Sequence, residues 1–166
     1  STRRGEEELI LDAYGMILKK YPETLLLITP RHIERTESIE AMVQKRGLRY
    51  QLRTELGKDR GDRTAQVVIF NTFGELFKTY SVGTLVFCGG SLVPLGGQNP
   101  MEPAVWGKTV FYGPSMENFL DAKALLEAAG AAVDWDNGRA DAPDPVERAS
   151  SRPDFLGLIY PGVPEE

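Results

Sequence analysis

Residues 24–47 read TLLLITPRHIERTESIEAMVQKRG, and this stretch decides the fold. Its first six residues form a continuous apolar run of strand length, without the polar alternation of a half-buried strand, as expected where both faces are covered in a parallel sheet. Residues 34–46 then switch to a helical period, with Ile39, Met42 and Val43 on one face, and Gly47 stands where a helix commonly ends on a left-handed residue. Strand, short loop, helix and glycine make half of a βαβ unit.

The same alternation continues on both sides. Residues 66–70 (QVVIF), 83–88 (GTLVFC), 108–112 (KTVFY) and 131–135 (AAVDW) read as further buried strands. Residues 6–20 predict a helix with Leu9, Ala13, Met16 and Ile17 on its buried face, behind a Glu6-Glu7-Glu8 first turn that suits the positive end of the helix dipole. Residues 117–129 predict another, with Phe119, Ala122, Leu126 and Ala129 inward and Gly130 at its end. The expected fold is therefore α/β, a doubly wound parallel sheet with right-handed crossovers. The opening STRRG resembles the turn after a strand, so the chain reads as a piece whose first strand is missing.

The 166 residues suit one ordinary domain, with 42% hydrophobic and 26% charged positions. Charge divides the chain in two. Residues 1–133 hold 16 Lys and Arg against 16 Asp and Glu, whereas residues 134–166 hold 3 against 8 and carry five of the eleven prolines. The expected domain thus spans 1–135, and 136–166 reads as an acidic, proline-rich, weakly structured tail in which only the apolar 155–160 segment invites packing.

Several classes drop out. The net charge of −5 argues against nucleic acid, which needs a surplus of Lys and Arg. A single Cys88 and a single His32 leave no internal disulfide and no His/Cys zinc site. Cys88 reads as a small core residue. No apolar run approaches the roughly 20 residues of a membrane span, so the piece itself is expected to be soluble. Asp134-Trp135-Asp136 matches a short D-x-D pattern, but a charged turn is its better reading, and no metal is assigned.

Ligands of open α/β sheets bind beyond the carboxyl ends of strands, which directs attention to three loops. Pro30-Arg31-His32 follows the first strand, where an arginine can take a phosphate in a bidentate fork or form a surface ion pair with Glu34 or Glu37. Asn71 to Glu75 follows the next, with Thr72 and Glu75 spaced as a capping box and a helix start that also suits an anion. GGSLVPLGGQNPMEP (89–103) follows the third and is the richest, with four glycines that let backbone amides approach a ligand. There Asn99 is the expected N-cap of a short helix beginning at Pro100, and Glu102 is placed to accept from ribose hydroxyls. The glycine spacing is neither the dinucleotide fingerprint nor a P-loop.

The phrases S-T-x-x-G-E-E (1–7), L-L-L-I-T-P-R-H (25–32), T-F-G-E-L (72–76), F-C-G-G-S-L-V-P-L-G-G-Q-N-P-M-E-P-A (87–104) and G-K-x-V-x-x-G-P-x-x-x-N-F (107–119) together resemble one family. It is 3-deoxy-D-manno-octulosonic acid (Kdo) transferase of lipopolysaccharide synthesis, and the resemblance covers residues 1 to about 133.

The resemblance implies the C-terminal, Rossmann-like donor half of a two-domain GT-B glycosyltransferase. It implies transfer of Kdo from CMP-Kdo to a lipid A precursor, with inversion and without a metal, at the cytoplasmic face of the inner membrane. CMP-Kdo is then a substrate, and no cofactor is expected. The catalytic base and the acceptor contacts fall to the N-terminal domain, so this piece alone should not turn over. CMP binding falls to Pro30 and Arg31, to Phe73, Gly74 and Glu75, and to Asn99, Pro100, Met101 and Glu102, with Ser91, Gly97 and Gln98 as further donor contacts. Three departures stand out: Gln98 where the family commonly has His, Phe73 where Met is usual, and a tail without the family's helical ending. Two other readings stay open, a GT-B domain for another donor such as a UDP-sugar and a noncatalytic α/β interaction module.

Overall fold

The computed structural model describes residues 1–57, 60–131 and 157–158. The chain divides into two compact units, Ser1–Lys78 and Thr79–Glu166. Both are α/β and both are built on parallel strands.

The first unit opens with α1 (Glu6–Lys20), followed by β1 (Leu26–Ile28), a 3-10 turn (Ile33–Arg35), α2 (Thr36–Lys45), β2 (Tyr50–Leu52), a second 3-10 turn (Arg53–Glu55) and β3 (Val67–Ile69). Its sheet has the order β1-β3-β2, all parallel, with Leu27 and Gln51 both in register with Val68. β1 and β2 run parallel on either side of β3, so a tight turn cannot join them and α2 serves as the crossover between them. Thr2 adds a parallel bridge outside β1: its amide donates to the Thr29 carbonyl and its carbonyl accepts from the Arg31 amide, both at 3.0 Å.

The core of this unit joins Leu11 and Tyr14 of α1 and Ile39 and Val43 of α2 to Ile28, Val67 and Ile69 of the sheet. At the end of α2 the Leu48 amide donates to Val43 and the Gly47 amide to Gln44, with Gly47 at φ +69°. This is the Schellman closure that Gly47 predicted.

The rotation of α1 differs from the expectation. Leu9, Ala13, Met16 and Ile17 face solvent, with Met16 71% exposed, while Leu11 and Tyr14 are buried. Apolar residues occur on two sides of this helix, and the choice falls to polar anchors. Glu7 sits on the same face as Leu11 and Tyr14, fully buried and hydrogen-bonded, and the Tyr14 hydroxyl reaches the carbonyls of Thr24 (2.6 Å) and Gln66 (2.9 Å).

α3 (Leu76–Tyr80) crosses the division between the units. The second unit continues with β4 (Leu85–Cys88), α4 (Met101–Ala104), β5 (Thr109–Tyr112), a 3-10 turn (Glu117–Phe119), α5 (Leu120–Ala131) and β6 (Gly157–Leu158). β4 and β5 are parallel, and β6 runs antiparallel to β5. Cys88, Ala104, Val110, Tyr112, Met116 and Leu126 form its core, which confirms Cys88 as a packed residue.

Other departures are local. β2 was not anticipated, because three half-buried residues at a sheet edge give no apolar run. Of the expected doubly buried strands only β3 is buried at every position; β4 and β5 alternate, with Leu85 facing solvent. α5 continues through Gly130 to Ala131, past the expected end. The predicted strand at 131–135 begins on that last helical residue; its other four residues, the D-x-D pattern and the expected boundary near 135 lie outside the described residues.

Candidate nucleotide site

The loop after β1 carries Arg31 on the surface, and its guanidinium makes no ion pair or side-chain hydrogen bond among the described residues. Glu34, which could have paired with it, lies instead beside His32, whose Nδ1 stands 3.5 Å from the Glu34 carboxylate. Nη1 of Arg3 stands 3.1 Å from Nε2 of the same imidazole. An arginine donates only, so in this arrangement Nε2 accepts. Pro30 is buried beneath the loop, and the backbone of Arg31 is fixed by the Thr2 bridge. One arginine thus stands exposed at the carboxyl end of β1.

The loop after β3 does not form the expected capping box. α3 begins at Leu76, three residues later than a Thr72 cap requires. The Thr72 hydroxyl donates to the Glu75 carboxylate itself, and Nη2 of Arg53 donates to the same carboxylate at 2.8 Å. Glu75 is thereby tied to the loop that follows β2. Gly74, at φ +81°, occupies the left-handed region that side chains avoid and turns the chain so that Phe73 is 73% exposed. An exposed aromatic ring on a braced loop offers a stacking surface for a flat heterocycle.

In the second unit the glycine-rich loop is held from inside. The Gly97 amide donates to the Gly90 carbonyl at 2.8 Å, the Gly96 amide to the Ser115 hydroxyl at 2.9 Å, and the Asn118 amide to the Gly96 carbonyl at 3.1 Å. A side chain at Gly96 would strike Asn118 and one at Gly97 would strike the Met116 sulfur. The glycines here serve close packing between two loops as well as backbone exposure.

Ser91, expected among the donor contacts, has a different task. It is fully buried; its hydroxyl donates to the Cys88 carbonyl at 2.6 Å and accepts from the Gly113 amide at 2.8 Å. Gln98 is half-buried, and its carbonyl accepts from the Cys88 thiol.

α4 begins at Met101 with Pro100 at its N-cap, one residue later than predicted, so Asn99 stands just before the cap, where its side-chain oxygen accepts from the Met101 amide at 3.0 Å. Pro100 is buried and Met101 packs on the core, which leaves Glu102 half-buried with no hydrogen bond or ion pair among the described residues. Its carboxylate is an available acceptor. Burial raises the Tyr80 hydroxyl far above its ordinary value, with the Glu102 carboxylate adding to the effect, so this phenol stays neutral.

The predicted residues therefore fall into two sets. Pro30, Arg31, Phe73, Gly74 and Glu75 sit on neighbouring strand ends of the first unit; Gly97, Gln98, Asn99, Pro100, Met101 and Glu102 share one loop and helix start of the second. Residues outside the expected ligand contacts, Arg53, Asn71, Ser115 and Asn118, hold these loops. The G-P-x-x-x-N-F phrase was the available signal for Asn118.

No family model matches the chain. A bifunctional glycosyltransferase/methyltransferase of Fusobacterium nucleatum is 37% identical over 127 residues, 76% of this chain and 19% of that protein. The 3-deoxy-D-manno-octulosonic acid transferase of Haemophilus influenzae is 34% identical over 149 residues, 90% of this chain and 34% of its own length. The chain thus spans about a third or less of the curated relatives it matches. The crystal structure of the C-terminal CMP-Kdo binding domain of WaaA from Acinetobacter baumannii superposes with a TM-score of 0.68 at 30% identity, covering 78% of this chain and 67% of that one.

Proposed function

This chain belongs to the 3-deoxy-D-manno-octulosonic acid transferase family, and we propose that it is the donor-binding half of a GT-B enzyme that transfers Kdo from CMP-Kdo to a lipid A precursor. The observation that carries the reading is Arg31, whose guanidinium at the end of β1 has no ion pair among the described residues, in a chain similar to a solved CMP-Kdo binding domain. In the first unit Pro30 and Arg31 take the phosphate, while Phe73, Gly74 and Glu75 flank the cytosine. In the second, the backbone near Gly97, Gln98 and Asn99 adds donors to the phosphate, Pro100 and Met101 seat the short helix, and Glu102 accepts from the ribose hydroxyls.

Departure of CMP from the anomeric carbon builds negative charge on the phosphate, so fixed donors gain most as that bond breaks. We assign charge stabilisation to Arg31 and to no metal, with inversion at the anomeric centre, and no catalytic base to this chain. The setting we propose is lipopolysaccharide synthesis at the cytoplasmic face of the inner membrane; no helix among the described residues is long and apolar enough to cross a membrane.

Titration of CMP and of UMP into the isotope-labelled protein tests the assignment. CMP should shift the Gly74 and Glu102 amides and bind more tightly than UMP. Tighter binding of UMP would favour a UDP-sugar donor, and a Glu102→Ala variant that leaves every titration unchanged would favour a noncatalytic module.

A further inference from the structure

The geometry points to Arg53 as a positioning residue for the loop that meets the nucleobase, an inference that rests on the CMP-binding reading above. Arg53 follows β2 directly, and its guanidinium is held at both ends: Nη1 donates to the Leu56 carbonyl at 3.0 Å and Nη2 to Oε1 of Glu75 at 2.8 Å. Oε2 of Glu75 accepts from the Thr72 hydroxyl. Both carboxylate oxygens are thus engaged in bracing the loop.

A second tie runs beside the first. The Thr54 amide donates to Oδ1 of Asn71 at 3.2 Å, and Nδ2 of Asn71 donates back to the Thr54 hydroxyl at 2.9 Å. The loops after two adjacent parallel strands are therefore stitched by a reciprocal amide–hydroxyl pair and an ion pair. Between these ties the chain passes through the left-handed Gly74 and presents Phe73 to solvent.

Arg53 acts here in two ways. It fixes the direction in which Phe73 and the Gly74 backbone meet the base, and it neutralises a carboxylate that would otherwise repel an incoming nucleotide anion. As a stabilising contact the pair counts for little, since both side chains are about one-third exposed. Its effect should appear in base recognition.

The test compares CMP with ribose 5-phosphate, which lacks the base, on the intact protein carrying wild-type Arg53, Arg53→Met or Arg53→Lys. Arg53→Met should weaken CMP about tenfold, the scale of one lost charge-assisted hydrogen bond, and leave ribose 5-phosphate within about twofold, with little change in thermal midpoint. Arg53→Lys should recover part of the CMP affinity, because an ammonium can reach Glu75 but lacks the second prong for Leu56. Equal loss of both ligands, unchanged CMP binding in Arg53→Met, or a lysine variant no better than the methionine one would overturn the assignment. Failure of the wild-type protein to bind CMP would instead overturn the nucleotide reading, and this assignment with it.

Discussion

Arg35 holds Glu7 through both terminal guanidinium nitrogens, each 2.8 Å from a carboxylate oxygen, and Glu7 is fully buried. The Thr2 hydroxyl adds a third donor at 2.8 Å. Next to it Glu6, equally buried, accepts from the Arg3 amide at 2.8 Å. A buried charge is tolerated only when paired and hydrogen-bonded, and here the pairing joins the start of α1, the bridge beside β1 and the approach to α2.

Removal of one partner should therefore be costly. Arg35→Met leaves a buried carboxylate uncompensated and should destabilise the first unit by about 3 kcal/mol. Denaturant unfolding measures this, and the double variant with Glu7→Gln should regain part of the loss. A pair that contributed only surface electrostatics would show a change below about 1 kcal/mol.

Arg31 is the converse case, exposed and without an ion pair among the described residues. Arg31→Ala should leave unfolding within about 0.5 kcal/mol of wild type yet weaken CMP at least about tenfold. The wild-type affinity should fall with added salt more steeply than that of the variant. Calorimetric titration at two salt concentrations decides the point.

Phe73→Ala should cost CMP affinity by about 1–3 kcal/mol, the range for a base stacked on an aromatic ring. Stability should barely change, because 73% of Phe73 already lies in solvent. Unchanged CMP affinity would show that the base packs elsewhere.

Gly113 takes no left-handed conformation, but a side-chain carbon there would lie 2.4 Å from the Ser91 carbonyl oxygen. Backbone must move to accept it. Gly113→Ala should lower stability by about 1–3 kcal/mol and shift the amides of residues 90–97 and 115. Shifts confined to Tyr112 and to residue 113 itself would contradict the packing described.

Burial, assisted by the nearby Glu127 charge, pushes the Tyr112 hydroxyl up to about 12 from 10.0. A phenol raised in the folded state favours the neutral form, so its contribution is complete below pH 10 and fades as pH rises toward about 12. Tyr112→Phe should make alkaline unfolding shallower by about one proton. At neutral pH, where the phenol is uncharged in both states, the substitution should change stability by no more than about 1 kcal/mol. Stability curves from pH 8 to 12 test both parts.

The sequence by itself determined where most of the strands and helices lie, which loops follow those strands, and which of those loops are glycine-rich. These are local matters: apolar runs mark buried strands, a 3.6-residue period marks α1 and α2, and Gly47 marks a helix end. β2 escaped notice because an edge strand buries too little to leave a pattern. The tertiary structure alone decided what periodicity cannot. It turned α1 so that Glu7, Leu11 and Tyr14 face inward in place of Leu9 and Met16, because the partner of Glu7 lies 28 positions away at Arg35. It also withdrew Glu75 from a helix cap and gave it to Arg53, 22 positions earlier. A local pattern can show which residues are apolar or charged, but a buried charge is settled by whichever distant side chain can neutralise it in space.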